Sequence, residues 1–183
     1  MESADINYKM KRGQVWVETV IYTLVGLALI GLVLAVVTPK INEYRDRAII
    51  EQTLESLELL DTKINEVLRS IGNAREVEFS LKRGDIYFNN SGDSISYVLE
   101  DSRVIYSQPG EETSVGRFIV LTEKGNKAHK VSITLNYDID IVTDANGEIK
   151  KFSAAAVPYK FLILNNGTVN NRVVVVISEL SGA

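Results

Sequence analysis

Glu18 is the residue in this chain that most needs a partner. It stands at the head of an apolar run, Thr19 to Thr38, that contains no charged residue. An ionised carboxylate in hydrocarbon is costly unless something neutralises or solvates it. One answer is local: Lys9, Lys11 and Arg12 lie just upstream, and Glu18 is then an interfacial glutamate snorkelling among headgroups. Other residues with chemical potential are fewer. Asp138, Asp140, Asp144, Asn146 and Glu148 form an oxygen-rich stretch, but Asp144-Ala145-Asn146-Gly147-Glu148 lacks the full ligand spacing of a calcium loop. A hairpin turn flanked by solvent-facing acids is the favoured reading. His129 is the one histidine and sits in a polar turn, Lys124 to His129, as a surface residue. Two N-x-[ST] sequons, Asn89-Asn90-Ser91 and Asn166-Gly167-Thr168, fall in expected turns and make Asn89 and Asn166 candidate N-glycosylation sites.

Composition narrows the function classes. The chain has 183 residues, no cysteine and a net charge of -4. Disulfide staples, thiolate metal sites and cysteine nucleophiles are therefore absent. A lone histidine leaves only carboxylates for catalysis, so no enzymatic activity and no cofactor are expected. No basic stripe marks a nucleic-acid partner.

The elements that position Glu18 come first in the chain. A helix rises 1.5 Å per residue, so about 20 apolar residues span the hydrocarbon of a bilayer. The basic residues ahead of the run predict a cytoplasmic N-terminus and an external remainder. Trp16 and Tyr22 sit near its head, where amphipathic rings favour the interface. A secretory signal peptide is disfavoured by the length of the run and the lack of an A-x-A site. Pro39 should kink the helix where it leaves the bilayer. From Ile41 to Ile71 the apolar residues fall at helical spacing, with Ile50, Leu54, Leu57, Ile64, Leu68 and Ile71 on one face. Gly72-Asn73 is the stop signal. Gly26, Gly31, Ala28 and Ala35 allow close helix approach without forming a G-x-x-x-G motif.

After Asn73 the period changes to two. Strands are expected at Val77–Leu81, Asp85–Asn89, Ile95–Leu99, Arg103–Tyr106, Arg117–Thr122, Val131–Ile141, Glu148–Phe152, Tyr159–Leu164 and Val173–Ile177, the last central and buried on both faces. Turns are expected at Arg83-Gly84, Ser91-Gly92, Pro109-Gly110, Asn146-Gly147 and Asn166-Gly167. The expected class is α+β: a long N-terminal transmembrane and amphipathic helix followed by an antiparallel β-sandwich.

This layout resembles the type IV pilin superfamily, and the resemblance becomes specific at Lys11-Arg12-Gly13-Gln14-Val15-Trp16-Val17-Glu18. Basic residues, a glycine, a glutamine and a glutamate precede the apolar run, similar to archaeal members with class III signal peptides. Those members often begin the mature chain Q-x-S-x-E; Trp16 stands where the serine would be. The resemblance covers about the first 60 residues, and the β-domain carries no motif that separates major pilin, minor pilin and archaellum-associated subunit.

The resemblance implies a leader, residues 1–13, starting at Met1 or Met10 and cut by a prepilin peptidase between Gly13 and Gln14. It implies a transmembrane and assembly segment at 14–38, an amphipathic helix at 39–72 and an extracellular β-domain at 73–183. Glu18 becomes fifth in the mature chain. Its carboxylate would then meet the new α-amino group of a neighbour's Gln14 in a staggered helix bundle. The implied partners are the membrane, the peptidase, copies of this chain or related pilins, an assembly ATPase and a polytopic membrane platform. The expected function is a structural subunit of a cell-surface filament. The alternative is a single-pass anchored binding or sensory β-domain that never polymerises.

Overall fold

The computed structural model describes residues 3–144 and 149–180, with side chains from Val15 onward. One long helix, α1 (Ser3–Val67), is followed by ten strands in two sheets. The layout is α+β, as the change of period at Asn73 suggested. The chain divides into two compact units, Met1–Asn42 and Glu43–Ala183.

In the first unit α1 is apolar on every side from Thr19 to Thr38. Exposed side chains run almost without a break from Val15 to Val37. This part of the helix is long and apolar enough to cross a membrane, and none of its most apolar window is buried by the protein. The helix passes through Pro39 without interruption, although proline cannot donate the backbone bond at that point.

In the second unit the rest of α1 has one buried stripe. Asp46, Ile50, Thr53, Leu57, Leu60, Ile64 and Val67 are all buried, at alternating steps of four and three. Leu54 and Leu68 pack at its margin. The expected apolar face is therefore real, with two changes. Leu60 belongs to it. Ile71 does not: the helix ends at Val67 and Ile71 is 76% exposed. The end is closed from a distance, because the Asn165 amide donates to the Val67 carbonyl at 3.0 Å. Gly72, at φ 80°, then turns the chain into the first strand.

One sheet has four strands, in the order β1 (Ala74–Phe79), β9 (Tyr159–Val169), β10 (Arg172–Glu179) and β7 (Asp140–Thr143). The other has six: β4 (Glu112–Val115), β5 (Phe118–Lys124), β6 (His129–Asn136), β3 (Ser94–Ser102), β2 (Asp85–Asn89) and β8 (Ile149–Ser153). All pairings are antiparallel except β10 with β7. Each sheet buries one face. The two faces share a core in which Phe161 of β9 lies 5.4 Å from Phe88 of β2 and 5.0 Å from Phe152 of β8, centroid to centroid. The stripe of α1 belongs to the same core.

Several expected strands change form. The long alternation from Val131 to Ile141 is two strands, β6 and β7, one in each sheet. Tyr137 and Ile139 keep the alternation going through the crossing because both remain buried. Arg103–Tyr106 is not a strand. Asp101 takes φ 54°, and the Ser102 hydroxyl accepts from the Val104 backbone, folding the segment away from a ladder. β4, with little apolar character, was not expected. β10 is central as expected, but only one face of it is fully buried: Val175 and Ile177 are in the core, while Val176 is half-buried.

Turn chemistry explains the remaining difference. The expected Asn166-Gly167 turn lies inside β9. The hairpin instead closes at Asn170-Asn171, both in the left-handed region at φ 48° and 67°, the geometry a two-residue hairpin needs. Gly84 is required where it stands: a Cβ there would meet the Val98 carbonyl oxygen at 2.5 Å. The Asn146-Gly147 turn and Glu148 lie outside the described residues.

Candidate functional site

The candidate site is the exposed apolar face of the first unit and the acid within it. Thr19, Thr23 and Thr38 carry hydroxyls into this helix, and each donates to the carbonyl four residues back, at 2.7–2.9 Å. That bond is open to any helical threonine and removes the cost of its hydroxyl in an apolar setting. Glu18 cannot use it, being an acceptor. Its Oε1 accepts instead from the Tyr22 hydroxyl at 3.1 Å, one turn further along. Helical side chains point back toward the N-terminus, so the phenol of Tyr22 reaches toward Glu18.

Trp16 and Tyr22 are about seven-tenths exposed, as are few aromatic side chains in a folded domain. Neither Gly26 nor Gly31 has a neighbouring atom within 4 Å of an added Cβ. A surface of this kind needs a cover, lipid or other helices. Gly13 and Gln14, the residues of the expected cleavage bond, lie in the helical backbone of α1, and the Gln14 side chain is outside the described residues.

The second unit answers the remaining expectations. Asp140 pairs with Arg172 at 2.9 Å, and Arg172 also binds Asp93 at 2.8 Å. Asp144 pairs with Lys150, which holds its carboxyl below the usual range. These acids are spent on cations, and among the described residues no cluster of three suitable groups could hold a metal. His129 opens β6, half-buried, beside a groove of about 540 Å³ lined by Glu100, Glu123, Lys124, Lys127 and Lys130. Charges of both signs line that groove. Asn89 ends β2, and its Oδ1 accepts from the backbone N–H groups of Ser91 and Gly92 at 3.1 and 2.9 Å. Asn166 is exposed, but on a strand and not in a turn.

The residue that sequence reasoning missed is Asp46. It is 3% exposed and accepts from the Arg83 guanidinium and from the Arg103 backbone N–H at 2.7 Å. Arg83 in turn donates to the carbonyls of Glu100 and Asp101. Asp46 thus ties α1 to the turn that leads into β2 and to the segment that follows β3. Its signal was present, since it extends the buried stripe one step before Ile50, but nothing local named its partner. Tyr97 works nearby, donating to the Arg83 carbonyl at 2.9 Å, and burial pushes its pKa up to about 12. Tyr137 is pushed up further by burial and by the charge of Asp61.

Comparison with known protein families, curated proteins and solved structures finds no match to this chain.

Proposed function

We propose that this chain is a structural subunit of an archaeal type IV pilus-like surface filament. The observation that carries the reading is the helix from Val15 to Thr38, apolar on all sides, unburied within its own unit and bearing a single acid, Glu18, at its head. The precursor is held in the bilayer by this helix with its N-terminus in the cytoplasm. A prepilin peptidase cuts between Gly13 and Gln14. The new amine is positively charged below about pH 8 and pairs with Glu18 of a neighbouring subunit as an assembly ATPase and membrane platform transfer the helix from lipid to a helical bundle. The second unit, its two sheets layered as a sandwich, faces outward at the cell surface.

The physical support is a matching of costs. Placing a lone carboxylate at mid-membrane costs about 2.5–3.5 kcal/mol on the insertion scale, and a lone buried ammonium is no cheaper. Joining them in a bundle relieves both, and stacking repeats the gain at each subunit. The test is mass spectrometry of the N-terminus of membrane-extracted protein. A chain beginning at Gln14 is expected. A chain that still begins at Met1 or Met10, and is monomeric in detergent, overturns the reading in favour of a single-pass anchored binding module.

A further inference from the structure

We infer that Tyr22 is a positioning residue for Glu18, holding its carboxylate in the lipid until a neighbour's amine arrives. This rests on the filament reading above. Between insertion and assembly the proposed precursor carries a carboxylate whose cationic partner belongs to a molecule it has not yet met. The Tyr22 hydroxyl fills that interval: it donates to Glu18 Oε1 at 3.1 Å within the same helix. A hydrogen bond to an ionised acceptor is stronger than one between neutral groups, and in a low-dielectric setting it gains further.

The geometry also fixes which oxygen remains for the partner. Tyr22 lies one turn C-terminal to Glu18, on the deeper side, and engages Oε1. With Oε1 engaged by the phenol, Oε2 is the oxygen left to accept from a neighbour's Gln14 amine. Without the phenol the carboxylate would sample several rotamers, and each encounter would have to select one. Phenylalanine keeps the ring, its area and its interfacial preference, and removes only the donor. Tyr22→Phe therefore separates this role from aromatic anchoring.

The experiment has two arms. In the first, the full chain is reconstituted into phosphatidylcholine vesicles and treated at neutral pH with dicyclohexylcarbodiimide, a lipid-soluble carboxyl reagent. Modification of Glu18 is followed by peptide mass spectrometry. Freed of its hydrogen bond, Glu18 in Tyr22→Phe is expected to label about threefold faster or more, while Tyr44→Phe, an exposed tyrosine beyond the apolar run, leaves the rate unchanged. Equal labelling in wild type and Tyr22→Phe overturns the proposal. In the second arm, surface filaments are counted in the producing cells. Tyr22→Phe is expected to lower their number several-fold with a normal membrane pool and normal leader cleavage. Faster labelling with a full count of filaments overturns the positioning role. Faster labelling of Tyr22→Phe, together with a wild-type chain that is never cleaved or polymerised, keeps the hydrogen bond and overturns the filament reading instead.

Discussion

Two fragments of the second unit should behave differently: residues 43–183 should fold, and residues 73–183 should not. The shorter fragment begins where the sequence period changes, yet it discards Ile50, Leu57, Leu60, Ile64 and Val67, each no more than 2% exposed. Full burial of such a side chain is worth about 1.5–3 kcal/mol, so these five together contribute on the order of 10 kcal/mol. That figure is an upper bound, because real unfolded chains already bury part of this surface. It still matches the whole stability of an ordinary domain, about 5–15 kcal/mol. The shorter fragment also loses the Asp46 bonds to Arg83 and Arg103, the Asp61–Arg117 pair at 2.8 Å and the partner of the Asn165 amide. Far-UV circular dichroism with thermal melting decides the matter. The longer fragment should melt cooperatively, and the shorter should aggregate or melt without a transition. As an intermediate case, Leu57→Ala in the longer fragment should cost about 3 kcal/mol and lower Tm by roughly 10 °C. A cooperative melt of residues 73–183 within a few degrees of the longer fragment would refute the reasoning, and the helix would then be an attachment and not a core element.

Asp46→Ala should destabilise the longer fragment by about 2–3 kcal/mol, below the full penalty for a broken buried pair because Arg83 is more than a third exposed; a denaturant midpoint unchanged from wild type would contradict this. Alkaline pH should destabilise the protein from about pH 10 upward, because the unfolded state releases the Tyr97 proton near its ordinary pKa while the folded state holds it until about 12, so the contribution of this phenol is present below 10 and is lost across that window; Tyr97 and Tyr137 should be the last phenols to ionise at 295 nm, and Tyr97→Phe should flatten the slope. Glu18→Ala should leave membrane insertion and leader cleavage intact and abolish filaments, the cost of an unpaired neighbouring amine being about 3–5 kcal/mol per contact; normal filament counts would return Glu18 to the headgroup region. A bulky residue in place of Gly13 should block the cut, and mature protein of wild-type mass from that variant would exclude Gly13–Gln14 as the bond.

What could be read from the sequence followed from local physics. The apolar run, the change of period at Asn73 and the strand at Asp85–Asn89 each depend on residues near in sequence, and each appears in the structure. Where the answer depended on a distant partner, local pattern was insufficient. Val131 to Ile141 alternates without a flaw because the core lies on the same side of both β6 and β7; a strand that leaves one sheet and joins another need not break its period. Asn166-Gly167 has the composition of a hairpin turn, yet Asn170-Asn171 takes the positive φ values, and two such dipeptides four residues apart cannot be ranked by composition. Asp46 reads as a solvated acid until Arg83 is placed beside it. For the candidate site, Glu18 and the apolar helix were visible at once, while its link to Tyr22 required asking which donor lies one helical turn away.

The strand order of the smaller sheet sets a timetable for biosynthesis. β1 has its in-sheet neighbour in β9, and β7 has its neighbour in β10, so both wait for residues 159–179 to be made. Synthesis runs from the N-terminus at about 5–20 residues per second, so the apolar helix emerges several seconds before the sheet can close. During that delay β1 and β7 lack their in-sheet neighbours and the smaller sheet has open strand edges. Any product that stops short of Arg172 stays in that condition. Its unpaired edges would stay open to chaperones and proteases, so closure of the smaller sheet depends on completion of the chain.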